Sequence, residues 1–187
     1  MKSKKLATFF CQVIKSMTTE NQTTFDIFMS YNGDSKESVK LLYKKLSEEY
    51  KFKVWIDFIQ LKNGMLHQQL SNGIANSAIF LCCITKKYAQ SDNCIREMTL
   101  ASECKLPLVV LMFERFEMHE LGSVGFIISP LTRFNCYKEP QLFSSWSDKN
   151  EIFSKILEVI RENLSSRIKK SIILSRSFTD CKKAFAI

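Results

Sequence analysis

From Thr24 onward, short apolar runs return roughly every 25 residues, about the length of one βα unit, and the stretches between them are amphipathic. The runs fall at 25–30, 52–56, 78–84, 106–112 and 131–137. Strands that alternate with helices in this way form a parallel sheet covered on both faces. The third and fourth runs are apolar throughout, as central strands buried on both sides must be. The expected fold is a flavodoxin-like, three-layer α/β/α domain with a five-stranded parallel sheet of order 2-1-3-4-5. That order puts the topological switch point between the first and third strands, with a ligand site outside their carboxyl ends. Three loops are thereby singled out: the one beginning Ser30-Tyr31-Asn32-Gly33-Asp34, the one at 57–64, and the one at 85–93.

The helices follow from spacing and caps. Val39, Leu42 and Leu46 recur at helical intervals behind Asp34 and Ser35, and Leu66, Leu70 and Ile74 do so behind Gly64. Asp92 or Asn93 is the expected cap of a helix reaching about Cys104. Asp148 with Glu151 three residues on reads as a capping box for Ile152, Ile156, Ile160 and Leu164. Between 114 and 129, Gly122 and Gly125 interrupt any pattern, so a short helix and loops are expected there.

Charge and cysteine usage narrow the function classes. The net charge of +8 sits at the two ends: residues 1–24 carry +3, residues 165–187 carry +5, and the 140 residues between them balance. The expected organisation is a basic extension at 1–23, one domain at 24–164 and a basic tail at 165–187. The aromatic interleaving of a single-strand binder is missing, so no specific nucleic-acid partner is expected. In the tail, Ile168, Ile172 and Ile173 beside Arg167, Lys169 and Lys170 read either as a solvated extension or as a weakly amphipathic basic helix touching a membrane or a partner. Seven cysteines, none in a CxxC pair, point to a reducing compartment, and a cytoplasmic location is expected. No apolar stretch approaches the ~20 residues of a membrane span. The opening MKSKKLATFFCQVIK is only weakly leader-like, because Gln12 interrupts it and no small-residue cleavage site follows.

The three singled-out loops carry motifs. Phe25-Asp26-Ile27-Phe28-Met29-Ser30-Tyr31 forms an aromatic-Asp-apolar-Phe-apolar-Ser-Tyr strand; Lys53-Val54-Trp55-Ile56-Asp57 is followed by Leu61 and Gly64; and Ser91-Asp92-Asn93-Cys94-Ile95-Arg96-Glu97 has the form Ser-x-x-Cys-x-x-Glu. In this order and spacing they resemble the Toll/interleukin receptor (TIR) family, and the last resembles its NAD-cleaving branch. The resemblance covers about residues 24–164. It implies that Glu97 is the catalytic carboxylate and that Ser30, Tyr31, Asn32, Asp57, Leu61, Lys62, Gly64 and Cys94 lie around the substrate. It also implies that NAD+ is a substrate rather than a cofactor, and that activity depends on self-association or on other TIR domains. Two departures stand out. The second loop reads Asp57-Phe58-Ile59-Gln60-Leu61-Lys62-Asn63-Gly64 rather than Arg-Asp-x-x-Pro-Gly, and the family's third box is represented by Phe143-Ser144-Ser145-Trp146.

The chemistry asks little of the protein. Nicotinamide leaves its pyridinium as a neutral molecule and needs no general acid, so one carboxylate that stabilises the oxocarbenium-like ribose suffices. Each residue also has a plainer reading. Glu97 reads alternatively as a first-turn glutamate complementing the helix dipole; Ser30, Tyr31 and Asn32 as a strand end and turn; Asp57 as a brace for the second loop; Gly64 as a helix-start glycine. Cys94 reads as packing, and Trp55 as core. His67 and His119 are isolated, and no metal site is expected. The competing function is a noncatalytic TIR–TIR interaction or adaptor module in innate-immune signal transduction. A phosphoacceptor receiver domain is excluded because it needs an Asp where the third strand ends in Ile84-Thr85. With five glycines and neither GxGxxG nor a Walker loop, a dinucleotide must be held otherwise than in a Rossmann enzyme.

Overall fold

The structure, a computed structural model, describes residues 24–60 and 66–184, with side chains at 24–60 and 68–169. Five parallel strands, β1 (Phe25–Tyr31), β2 (Val54–Trp55), β3 (Ser77–Ile84), β4 (Leu108–Met112) and β5 (Arg133–Phe134), form one sheet of order β2-β1-β3-β4-β5, as expected. All eight residues of β3 are buried, which is the cost-free outcome for a run without polar side chains at its centre.

Alternate strand residues enter opposite layers. Ile27, Met29, Ile79, Leu81 and Leu111 face α1 (Lys36–Lys44) and α7 (Glu151–Ala184), where Val39, Leu42, Phe153, Ile156 and Ile160 are fully buried. Phe28, Phe80, Cys82 and Val110 face the other layer. That layer comprises α3 (Leu66–Ala75), α4 (Lys86–Ala89), α5 (Asp92–Glu103) and α6 (Gly122–Ile128). A short α2 (Asp57–Gln60) follows β2 directly. Each fully buried Ile or Phe on these faces contributes about 2 kcal/mol of transfer free energy.

Across β2, β1 and β3 the register pairs Trp55 with Phe28 and Phe28 with Phe80. Their rings stack in a row, with centroids 4.4 Å and 5.4 Å apart. Gly73 of α3 lies flat on this row, since a Cβ there would meet the Trp55 indole at 2.6 Å. Trp55 is therefore core, as its apolar setting suggested.

Several expectations need correction. Residues 131–137 shorten to the two-residue β5, with a 3-10 turn at Cys136–Lys138, and 52–56 shorten to β2. Among the described residues neither edge run has a partner on its outer side to extend the ladder. Leu46 is buried as expected but sits on a π-helical turn, Lys45–Glu49, that prolongs α1. The cap of α5 is Ser91, whose Oγ accepts from Cys94 N at 3.4 Å, rather than Asp92 or Asn93. The cap of α7 is Asn150, whose Oδ1 accepts from Ile152 N and Phe153 N at 2.9 Å and 3.1 Å. Asp148 is instead taken by Tyr50 Oη at 2.5 Å and Lys45 Nζ at 3.1 Å. Helix α7 also crosses residue 164 without a break, and Arg167 Nη1 donates to the carbonyls of Ser77 and Ala78 at 3.2 Å and 3.1 Å. Residues 1–23 lie outside the described residues. No helix among the described residues is long and apolar enough to cross a membrane.

Between 114 and 129 the expected short helix is α6, preceded by a 3-10 turn at Met118–Leu121 that Glu117 and Glu120 close with a reciprocal capping box. Gly125 packs against that turn so closely that a Cβ would lie 2.1 Å from Met118 O. Backbone cannot yield as a side-chain tip can. Gly125→Ala is therefore expected to cost about 3 kcal/mol, read as a lowered urea midpoint at unchanged m-value.

Candidate functional site

At the carboxyl end of β1, Ser30 is almost wholly buried and points into the layer that holds α5. Its Oγ donates to Glu97 Oε2 at 2.6 Å and lies 2.9 Å from the Tyr88 hydroxyl. Tyr88 is fully buried on α4, the single turn that leaves β3. Thr85, the last residue before that turn, caps it by accepting from Tyr88 N at 3.0 Å, which fixes where the tyrosine enters the core.

Glu97 sits on the second turn of α5 once Ser91 is recognised as the cap. That position is too far from the helix start for dipole complementation to explain the residue. Its carboxyl is partly buried, and its pKa is raised from 4.5 to about 7, chiefly by desolvation. The Ser30 hydrogen bond pulls it down and the Asp57 charge pushes it up. A carboxyl held near neutrality at a strand-end crevice is the kind of group that functional sites collect.

Beside it, Tyr31 Oη donates to Asp57 Oδ1 at 2.7 Å, and the same oxygen accepts from Phe58 N at 2.6 Å. Burial, and then the Asp57 carboxylate, push the Tyr31 phenol far above its ordinary range, so it remains a donor. Asp57 thus braces the start of the second loop, as its plainer reading had it, and also faces Glu97. Cys94 Sγ donates to Tyr31 O at 3.5 Å, and burial pushes the thiol up to about 11; it packs the site and is not a thiolate at neutral pH. Asn32 is spent on local structure. Its Oδ1 accepts from Asp34 N at 3.2 Å, and its Nδ2 donates to Lys87 O at 3.4 Å. Lys87 and Asp34 form an ion pair across the same junction.

The structure therefore brings Ser30, Tyr31, Asp57, Cys94 and Glu97 together and places Asn32 at the adjacent turn. Leu61, Lys62 and Gly64 lie outside the described residues. The cavity lined by Ser30, Tyr31, Trp55, Asp57, Leu70 and Glu97 has a volume of about 20 Å³, room for one water molecule. A second, of about 150 Å³, opens on the far side of Glu97 between α3 and α5, with Arg96 on its wall. Two cavities of about 520 Å³ each lie away from Glu97. Tyr88 escaped the sequence reading. Nothing local marks it, because its partner Ser30 is 58 residues away. Among the described residues no three His, Cys, Asp or Glu side chains converge as metal ligands.

A parallel sheet of order 2-1-3-4-5 between two layers of helices, with a near-neutral carboxyl near the carboxyl ends of β1 and β3, defines a flavodoxin-like α/β domain. The chain belongs to the TIR domain family, whose pattern matches residues 27–143. It is thereby a TIR signalling module. Among solved structures, it is similar to the TIR domain of the Toll-related receptor TRR-2 from Hydra magnipapillata, at a TM-score of 0.58 and 14% identity, over 74% of this chain and 99% of that one. It is also similar to the TIR domains of the activated Roq1 resistosome that recognises the pathogen effector XopQ, at a TM-score of 0.48 and 16% identity, over 76% of this chain and 99% of that one. No curated protein matches it.

Proposed function

We propose that this TIR domain cleaves the nicotinamide–ribose bond of NAD+, releasing nicotinamide and ADP-ribose or its cyclic form, and that it does so as a cytoplasmic signalling protein active on self-association. The observation that carries this reading is the Glu97 carboxyl, partly buried, bonded to Ser30 and titrating near neutral pH. In the reaction the C1′–N bond breaks and the electron pair leaves with neutral nicotinamide. Water then bonds to C1′ and loses a proton, or, in cyclisation, an adenine ring nitrogen bonds to C1′ through its lone pair and the adenine takes up the positive charge. The Glu97 carboxylate stabilises the positive charge that develops on the ribose, an interaction stronger in a desolvated site than in water. A base near neutrality also accepts the water proton without a large penalty. Asp57, held by Tyr31, faces the same space.

A second reading is favoured by one observation. The cavity that Glu97 shares with Ser30 and Asp57, at about 20 Å³, has room for one water molecule and not for a dinucleotide, as a noncatalytic TIR–TIR interaction module would have it. Purified protein incubated with NAD+ at high concentration with a crowding agent separates the two. Nicotinamide release is expected, and Glu97→Ala is expected to reduce it by roughly 10³-fold. Absence of release from folded, assembled wild-type protein would move the conclusion to the interaction module.

A further inference from the structure

We infer that Tyr88 is a positioning residue for Glu97: its buried hydroxyl donates to Ser30 Oγ and so commits the single Ser30 proton to the Glu97 carboxylate. The inference takes its functional meaning from the reading of Glu97 as the reacting carboxylate, but its geometry and its test do not depend on that reading.

A serine hydroxyl has one proton to give and two lone pairs to receive with. Ser30 gives its proton to Glu97 Oε2 at 2.6 Å, so the 2.9 Å contact with Tyr88 is one in which the phenol donates. Among the described residues Ser30 Oγ is the partner of that phenol, and Tyr88 is fully buried, so its proton has one place to go. Burial holds the phenol far above its ordinary range, which keeps the proton on it at any pH the fold survives. The Thr85 cap and the short α4 turn fix the ring, and Ser30 is itself 1% exposed, so both hydroxyls are held away from bulk solvent. Chains of this kind strengthen each member, because a hydroxyl that accepts is a better donor.

Without the phenol, Ser30 is free to rotate away, and Glu97 loses its hydrogen bond to the charged form. The other groups facing Glu97 are Asp57 from α2, Tyr31 from β1 through Asp57, and Cys94 and Arg96 from α5 itself. None of them is altered by removing the Tyr88 oxygen.

The test is a carboxyl-carbon NMR titration of Glu97 in the full chain, for wild type, Tyr88→Phe, Ser30→Ala and the double variant, with near-UV circular dichroism confirming the fold. Tyr88→Phe is expected to raise the Glu97 midpoint by about half a pH unit or more. Ser30→Ala should raise it at least as far, and the double variant no further than Ser30→Ala alone. A wild-type midpoint in Tyr88→Phe, or shifts that simply add in the double variant, would overturn the inference. If Tyr88→Phe does not fold, site-specific fluorination of the Tyr88 ring makes the phenol a stronger donor. The Glu97 midpoint then falls if the chain runs as described, and its staying put overturns it. Nicotinamide release is followed in parallel. A shifted midpoint in a protein that releases none supports the Tyr88–Ser30–Glu97 chain and overturns the NAD-cleaving reading alone.

Discussion

At pH 8, Glu97→Gln is expected to be more stable than the wild-type protein by on the order of 3 kcal/mol, and this advantage should vanish by pH 4. The native carboxyl titrates at about 7 against an ordinary 4.5, because desolvation penalises its charge. Between those values the folded state holds a proton that the unfolded chain has released, so wild-type stability falls as pH rises through this window. Below it both states are protonated and nothing is lost; above it both are ionised and the penalty is complete. Glutamine keeps an acceptor oxygen for Ser30 and never ionises. Urea unfolding of the two proteins at intervals from pH 4 to pH 8 reads the difference directly. Curves that stay parallel across that range would show that Glu97 is not held in a desolvated state. If the proposed NAD+ cleavage holds, the same gradient sets its pH profile, with nicotinamide release climbing as pH passes through about 7 and the carboxylate forms.

Phe28→Ala is expected to cost about 4 kcal/mol, the middle of the range for a buried aromatic. The ring is 1% exposed and is the middle of the row Trp55–Phe28–Phe80, so its removal strips one face from each neighbour. Those stacked pairs add about 1 kcal/mol each beyond area burial. The loss should be unevenly distributed. β2 has only Val54 and Trp55 in register with β1, so hydrogen-exchange protection at 54–55 is expected to collapse before that of β3. Phe134→Ala, at a partly exposed ring on the opposite edge, should cost less than half as much. Equal costs for the two substitutions would deny the row its special place in the sheet.

The central strands were legible because a run such as 78–84 has no polar residue to place, so only full burial suits it. The candidate residue Glu97 stood out for a different reason: it came with a motif and a position beside a strand end, and the fold brings Ser30 to it. The caps were not legible. Asp148 satisfies every local rule for a helix start, yet Tyr50, 98 residues away, takes its carboxylate, and Asn150 does the capping instead. Tyr88 was hidden by the same non-locality. The length of β5 was overstated because the apolar pattern at 131–137 reports burial, whereas a ladder also needs a neighbour.

The two outer strands limit the ways in which copies of this domain can pair. β2 and β5 each offer two residues of backbone to the outside of the sheet. A border that brief gives an incoming chain too little to zip onto. Were this domain to polymerise, contacts of helices and loops rather than strand pairing would carry the growth, and the polymer should fail to stain with cross-β dyes.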